Sequence, residues 1–167
     1  KWIKRYSNKQ FFLNQELIKE KKINKYEIES LCSHFLISKK GIKNTFTATQ
    51  LHENDYKNGI RFLVQNGFNQ KRSGDVIINL ESGWIEWNKS FGTTHGSCYS
   101  YDTHVPLIFW GKNIIRGITD RTIYMKDIAP TISTLLGISF PSGCTGKPIF
   151  ELTQQLKVSS LDIELIE

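Results

Sequence analysis

Thr94-His95-Gly96-Ser97 runs on through Tyr101-Asp102-Thr103-His104-Val105-Pro106 into Leu107-Ile108-Phe109-Trp110-Gly111, and this stretch concentrates the chemistry of a 167-residue sequence. Two histidines and an aspartate stand within ten residues on a glycine-containing loop, and a short apolar run follows directly. The run is long enough for a buried strand and too short for a membrane span. Polar, ligand-type side chains at the lip of a buried strand are how α/β enzymes build sites. A neutral imidazole is a good zinc ligand, and Asp is a harder oxygen ligand for the same ion. Spacing alone leaves two readings open: metal ligands, or one hydrogen-bonded loop histidine and one strand-capping histidine.

Outward from that loop, strands and helices alternate. Phe11-Phe12-Leu13 reads as a short strand and Gln15 to Lys22 as a short charged helix. Asn24 with Glu27 three residues on resembles a capping box, followed by Ile28, Leu31, Cys32, Phe35 and Leu36 at helical spacing. That helix is predicted to end near Lys39, before Gly41. Ile42 to Leu51 is rich in Thr and Phe and favours a strand. Tyr56 to Gln65 reads as a helix with Ile60, Leu63 and Val64 inward, stopping at Asn66-Gly67. After a polar turn, Asn69 to Gly74, the run Asp75 to Leu80 looks like a buried strand ended by Gly83-Trp84. Near the end, Asp127 as N-cap, Pro130 in the first turn and Gly137 as terminator frame a helix buried through Ile128, Ile132, Leu135 and Leu136. Such alternation predicts an α/β or mixed layered fold, and the length suits one domain with a real core.

Composition is ordinary for a globular protein. Much of the net charge of +6 comes from Lys19, Lys21, Lys22 and Lys25 near one helix, which reads as a solvated face. Nucleic-acid binding would want a wider basic surface with aromatics interleaved, so no nucleic-acid partner is expected; a phosphorylated substrate is compatible with the charge. No segment approaches transmembrane length, so no membrane partner is expected either. The first residue is Lys1 rather than Met, which leaves room for a targeting signal upstream. Cys32, Cys98 and Cys144 form neither a disulfide framework nor a CxxC site; Cys32 reads as a helix core residue, while Cys98 and Cys144 stand in loops, either paired with each other or, as the slightly favoured reading, free. His34 and His52 read as structural, His34 partly exposed in a helix and His52 in a polar turn after a strand. There is no P-loop or Rossmann glycine pattern and no GxSxG elbow.

Several blocks, in order, resemble the C-terminal third of the alkaline phosphatase superfamily: Thr47-Ala48-Thr49-Gln50, Asn66 to Asp75, Gly83-Trp84, Thr94-His95-Gly96-Ser97, Asp102 to Pro106, Asp127-Ile128-Ala129-Pro130-Thr131, and Gly146-Lys147-Pro148-Ile149. The resemblance covers roughly residues 10 to 150. It is to the bacterial phosphate-irrepressible alkaline phosphatases, which lie near type I phosphodiesterases/nucleotide pyrophosphatases. It implies the C-terminal part of a layered α/β/α fold within a single domain, with residues 10–80 as a small β-α-β-α-β cap segment and 90–150 as the core segment bearing the metal-ligand loop.

The resemblance also implies a chemistry. Enzymes of this family hold two zinc ions that clamp the attacking and leaving oxygens of a phosphate ester, with a Thr or Ser nucleophile. The family's last zinc ligand is a histidine in a THG-type loop, a position that His95 matches. His104 is the rival, and Asp102, with His104, is expected to support the ligand as an outer partner. Arg72 is a candidate phosphate contact, although a solvated turn next to a strand is the favoured reading. Trp84 and Trp87 read as packing residues, and Tyr99 and Tyr101 as walls of the loop. The sequence lacks the SDHG-type pair, the early nucleophile and the DxxxH pair of the family. It therefore reads as a fragment that supplies one zinc ligand, inactive or nearly so alone and associating with a missing N-terminal portion. The alternatives are a non-catalytic α/β binding module and, within the superfamily, a phosphodiesterase. By resemblance the location is periplasmic or secreted.

Overall fold

In a computed structural model of the chain, describing residues 1–87, 90–112 and 114–153, the fold starts one strand earlier than the sequence predicts. β1 (Ile3–Ser7) turns back into β2 (Gln10–Leu13) through Asn8 and Lys9 alone. Both turn residues are left-handed, with φ 49° and 59°, the geometry whose twist matches that of paired strands. Asn tolerates this conformation and Lys does so less readily. The hairpin therefore lacks an Asn-Gly signature, which hides β1 in the sequence.

The chain divides into two compact units, Lys1–Pro106 and Leu107–Glu167. In the first, the hairpin is followed by α1 (Gln15–Glu20), α2 (Lys25–Ile37), β3 (Ile42–Thr47), α3 (Ala48–Glu53), α4 (Gly59–Gly67), β4 (Val76–Leu80) and a single turn, α5 (Ser100–Thr103). The four strands form one sheet in the order β1-β2-β4-β3, every neighbouring pair antiparallel. Helix α2 packs on β3 and β4. There Leu36 meets Val76 and Ile78, flanked by Phe11, Cys32, Ile42 and Leu80. The fold is thus mixed α/β, and residues 10–80 follow the expected β-α-β-α-β order with a helix pair in each connection.

Four local expectations need correction. Asn24 does cap α2, but it accepts from the Tyr26 N–H at 2.9 Å, one residue earlier than a capping box would have it. Within α2, Leu31 and Phe35 are 66% and 60% exposed, whereas Glu29 is fully buried. The helix turns its carboxylate inward because Glu29 Oε2 accepts the N–H of Thr49 at 3.1 Å, an orphan donor in the first turn of α3. The predicted strand Ile42 to Leu51 stops at Thr47. There the Thr47 hydroxyl accepts from Gln50 N–H at 3.1 Å and Gln50 Oε1 accepts from Thr47 N–H at 3.2 Å. This reciprocal pair starts α3 at once and places His52 in a helix, exposed, rather than in a turn. In α4, Ile60 and Val64 are half-buried, but Leu63 is exposed.

Asp75 ties this unit together. Its Oδ2 accepts from Leu13 N–H at 2.8 Å, and its Oδ1 accepts from Gln15 Nε2 at 2.8 Å and faces Lys25 Nζ at 3.2 Å. Its backbone N–H donates to Phe11 O and its carbonyl accepts from Ala48 N–H, both at 2.8 Å. Lys25 in turn reaches Glu29 at 3.4 Å. Burial alone would lower the Lys25 ammonium, but Asp75 and Glu29 outweigh it and hold the pKa above its usual value. One residue, just before β4, thus joins the end of β2, the start of α1 and the first turn of α2 through its carboxylate, and the junction of β3 with α3 through its carbonyl.

In the second unit, the predicted strand over Leu107 to Trp110 is absent. These residues have no regular structure, and Ile108 and Trp110 are 83% and 95% exposed. A strand needs a neighbour for its backbone groups, and none pairs here among the described residues. The regular part is a 3₁₀ turn (Met125–Asp127) leading into α6 (Ile128–Leu136), which ends at left-handed Gly137, φ 65°. The buried face of α6 is Pro130, Thr131 and Ser133; Ile132 and Leu136 are exposed. Asp127 starts the helix without capping it through its side chain; its carboxylate accepts instead from Tyr124 N–H at 3.0 Å and Lys147 N–H at 2.9 Å. Buried Thr131 donates to Asp127 O at 2.6 Å and accepts from Ile149 N–H at 2.9 Å. The 146–149 block is therefore pinned to α6, and Gly146 packs so tightly on Lys126 that a Cβ there would strike its carbonyl.

Candidate functional site

The loop that carries His95 is irregular yet well anchored. Tyr99 donates its hydroxyl to Leu80 O at 2.9 Å, at the end of β4, and Asn79 Nδ2, from a buried side chain, lies 3.5 Å from the same hydroxyl. The Tyr101 hydroxyl accepts from Gly83 N–H at 3.2 Å, a contact that lowers the pKa of this phenol. The two rings stack with centroids 5.6 Å apart. Tyr99 thus latches the loop to the end of β4, and Tyr101 latches it to the turn that follows β4. Upstream, Tyr6 of β1 hydrogen-bonds Glu86; burial and that carboxylate both push the Tyr6 phenol up. Trp84 packs over Gly41 and Trp87 over Gly92, which makes both tryptophans packing residues.

Within the loop, Ser97 donates its N–H to Asp102 Oδ2 at 2.8 Å. The Ser97 hydroxyl and N–H are the main reasons why the Asp102 carboxyl is held below its usual range, with smaller contributions from the charges of His95 and Lys9. Asp102 therefore stays ionised and braces the turn that presents His95. The side chain of His95 is exposed, and the following Gly96 is left-handed, φ 99°, with open space where a Cβ would stand. His104 is exposed at the C-terminal end of α5. Burial raises the Cys98 thiol, and Lys9 offsets this only in part, so Cys98 is poorly suited to act as a thiolate.

Lys9 is the contributor that the sequence concealed. From the tip of the β1–β2 hairpin its Nζ donates to Gly96 O at 3.1 Å, while its own carbonyl accepts from Ile78 N–H at 2.9 Å. The hairpin tip is thereby clamped between β4 and the residue next to His95. The one cue in the sequence was Asn8, a residue type at home in left-handed turns. Arg72 stands exposed in the 69–73 turn, whose shape is set by Asn69 accepting from Lys71 N–H at 3.1 Å and Ser73 accepting from Asn69 N–H at 2.9 Å.

Among the described residues, no three His, Cys, Asp or Glu side chains converge as a metal site. The described residues therefore do not by themselves form a dinuclear metal site. Cys32, Cys98 and Cys144 are free thiols.

No family model matches the chain. Among curated proteins, it is 34% identical over 145 residues to the alkaline phosphatase PafA of Elizabethkingia meningoseptica, covering 87% of this chain and 27% of that protein. It is 36% identical over 145 residues to the alkaline phosphatase PhoV of Synechococcus elongatus, covering 87% and 26%. A Myroides odoratus protein named a calcium-transporting ATPase is 36% identical over 154 residues, covering 92% and 28%. The chain thus spans between 26% and 28% of the length of these relatives. In the crystal structure of wild-type PafA, 29% of that chain superimposes on 91% of this one, with a TM-score of 0.82 and 34% identity. In sequence and in fold, then, the chain resembles the alkaline phosphatase superfamily, as the counterpart of one segment of the PafA and PhoV enzymes.

Proposed function

We propose that the chain supplies the His95 corner of a two-zinc site for phosphate monoester hydrolysis. One observation carries the reading: identity and fold match alkaline phosphatases over nearly the whole chain, and within that match an exposed histidine stands on a loop held from several sides. Two zinc ions in such a site stabilise charge on the attacking and leaving oxygens. This chain's share is to hold a ligand in place. His95 is the proposed ligand and His104 its alternative; Asp102 supports it by fixing the turn through Ser97. Arg72 is the proposed phosphate contact. Residues 10–80 act as a cap beside the site and 90–150 as core. The other ligands and the nucleophile come from sequence beyond the matched segment, in a partner portion with which this chain associates. We assign no step of hydrolysis to the chain alone. No helix among the described residues is long and apolar enough to cross a membrane, and the proposed location, by likeness to exported phosphatases, is periplasmic or extracellular.

The test is a zinc titration of the chain followed by histidine ring NMR and calorimetry, with turnover of a phosphate monoester measured in parallel. Weak uptake at a single site is expected, lost in His95→Ala and kept in His104→Ala, without turnover. Tight uptake of two ions with turnover that His95→Ala abolishes would mean that the chain holds a complete site and would overturn the reading. Uptake unaffected by His95→Ala would remove His95 as the ligand.

A further inference from the structure

A second feature of the first unit lies away from the His95 loop and is independent of the phosphatase reading. Between β1, β2 and the turn before β4 runs a cleft of about 550 Å³, within the range of roughly 300–1,000 Å³ usual for small-molecule sites. None of residues 94–104 lines it. Its lining includes four cations, Lys4, Arg5, Lys25 and Lys71, and one carboxylate, Asp75.

The cations are not equivalent. Lys25 is neutralised by Asp75 and by buried Glu29. Lys4 has only a loose contact with Glu16 at 3.9 Å, both side chains well exposed. Arg5 and Lys71 make no ion pair among the described residues. Asp75 is already engaged by Leu13, Gln15 and Lys25. The cleft therefore keeps an uncompensated positive charge. Arg5 also lies with its guanidinium 3.9 Å from the centroid of the Phe12 ring. Stacking occupies the face of a guanidinium and leaves its in-plane N–H fork free, the geometry that matches a phosphate. The cleft is far larger than a phosphate group requires, and Phe12 gives it an apolar floor.

We propose that this cleft is a binding site for a small phosphate ester, with the phosphate held by Arg5 and Lys71 and the organic body lying along Phe12. Both contacts rest on elements fixed elsewhere: β1 by its hairpin, and the 69–73 turn by Asn69 and Ser73. The backbone that carries both residues is therefore in place before a ligand arrives.

The experiment titrates the full chain with adenosine 5′-monophosphate, inorganic phosphate and adenosine, read by calorimetry and by amide NMR shifts. The monophosphate is expected to bind saturably and more tightly than inorganic phosphate, and adenosine not to bind. Shifts are expected at residues 4–5, 12 and 71–73, and added salt is expected to weaken binding by screening the charges. Arg5→Ala and Lys71→Ala should each weaken it about tenfold. Lys43→Ala, on β3 at the opposite edge of the sheet, should leave it unchanged. Lys71 stands in an exposed turn, so its variant carries the test if Arg5→Ala unfolds the hairpin. No saturable binding, phosphate binding as tight as the monophosphate, shifts confined to 94–104, or Lys71→Ala equal to Lys43→Ala would each overturn the proposal. Shifts confined to 94–104 would move the ligand to the His95 loop, whereas the other outcomes leave the reading of His95 untouched.

Discussion

Asp75→Ala is expected to be among the most damaging single substitutions in the first unit, and its cost can be worked from the contacts. The side chain of Asp75 is 13% exposed. Its loss leaves the part-buried Leu13 N–H without an acceptor, and a hydrogen bond to a charged acceptor contributes about 1.5–3 kcal/mol. The Gln15 contact is exposed and adds about 0.5 kcal/mol. Lys25 is about half exposed, so solvent screening limits its contribution to about 0.5–1 kcal/mol. Together these give about 2.5–4.5 kcal/mol, a large share of the ~5–15 kcal/mol of a typical domain. Asp75→Asn keeps one oxygen for Leu13 and should cost about half as much. Urea unfolding followed by far-UV circular dichroism at neutral pH measures both, provided the slope with denaturant is unchanged. Glu29→Gln shares Lys25 with Asp75, so the double variant should be non-additive by at least about 0.5 kcal/mol. A cost below about 1 kcal/mol for Asp75→Ala, or equal costs for the Ala and Asn variants, would refute the idea that Asp75 joins the elements of this unit.

Three further outcomes are expected. Thr47→Ala removes the reciprocal cap of α3 and should cost about 1 kcal/mol, while Thr47→Ser restores most of it; equal loss in both would rule out the hydroxyl as the cause. Gly41 is left-handed at φ 88°, and a Cβ there would stand 2.5 Å from the Trp84 ring. Gly41→Ala should therefore cost at least about 1–2 kcal/mol and shift tryptophan emission, and unchanged stability and emission would contradict that packing. Burial would raise the Asp127 carboxyl, but the N–H groups of Lys147 and Tyr124 outweigh it and hold the pKa below its usual value. With the folded value below the unfolded one, the stabilisation is fully present above about pH 4 and is lost as the pH falls through the folded value. The difference in urea midpoint between the parent and Asp127→Asn should shrink on acidification through that window, and a pH-independent difference would count against it.

Where the sequence could be read, local chemistry was responsible. Asn24, Gly137 and the run from Asp75 to Leu80 announce their elements because caps and short apolar strands depend on neighbours in the chain. The failures were non-local. Glu29 is buried because α3 offers it an unpaired N–H from twenty residues away, which no periodicity in α2 reveals. The apolar run at Leu107 to Trp110 has the composition of a strand, but a strand exists only where a second one pairs with it. The His95 loop was conspicuous by residue type, whereas its supports, Lys9 and Asn79, carry no chemical signal and gain meaning only once β1 and β4 are placed.

The junction at Thr47 and Ala48 also bears on how the chain tolerates change in length. β3 passes into α3 with no residue between them, and the Ala48 N–H is already committed to Asp75 O. A single inserted residue there would either slip β3 against β4, reversing the faces of its side chains, or uncouple the helix from its cap. The segment from Asn54 to Asn58 is largely exposed and lies between helices, and past Tyr56, whose N–H Gln65 holds, it offers slack at Lys57 and Asn58. Epitope tags or reporter loops belong there, and natural length variation in this part of the chain is expected to collect at that segment while sparing the 47–48 junction.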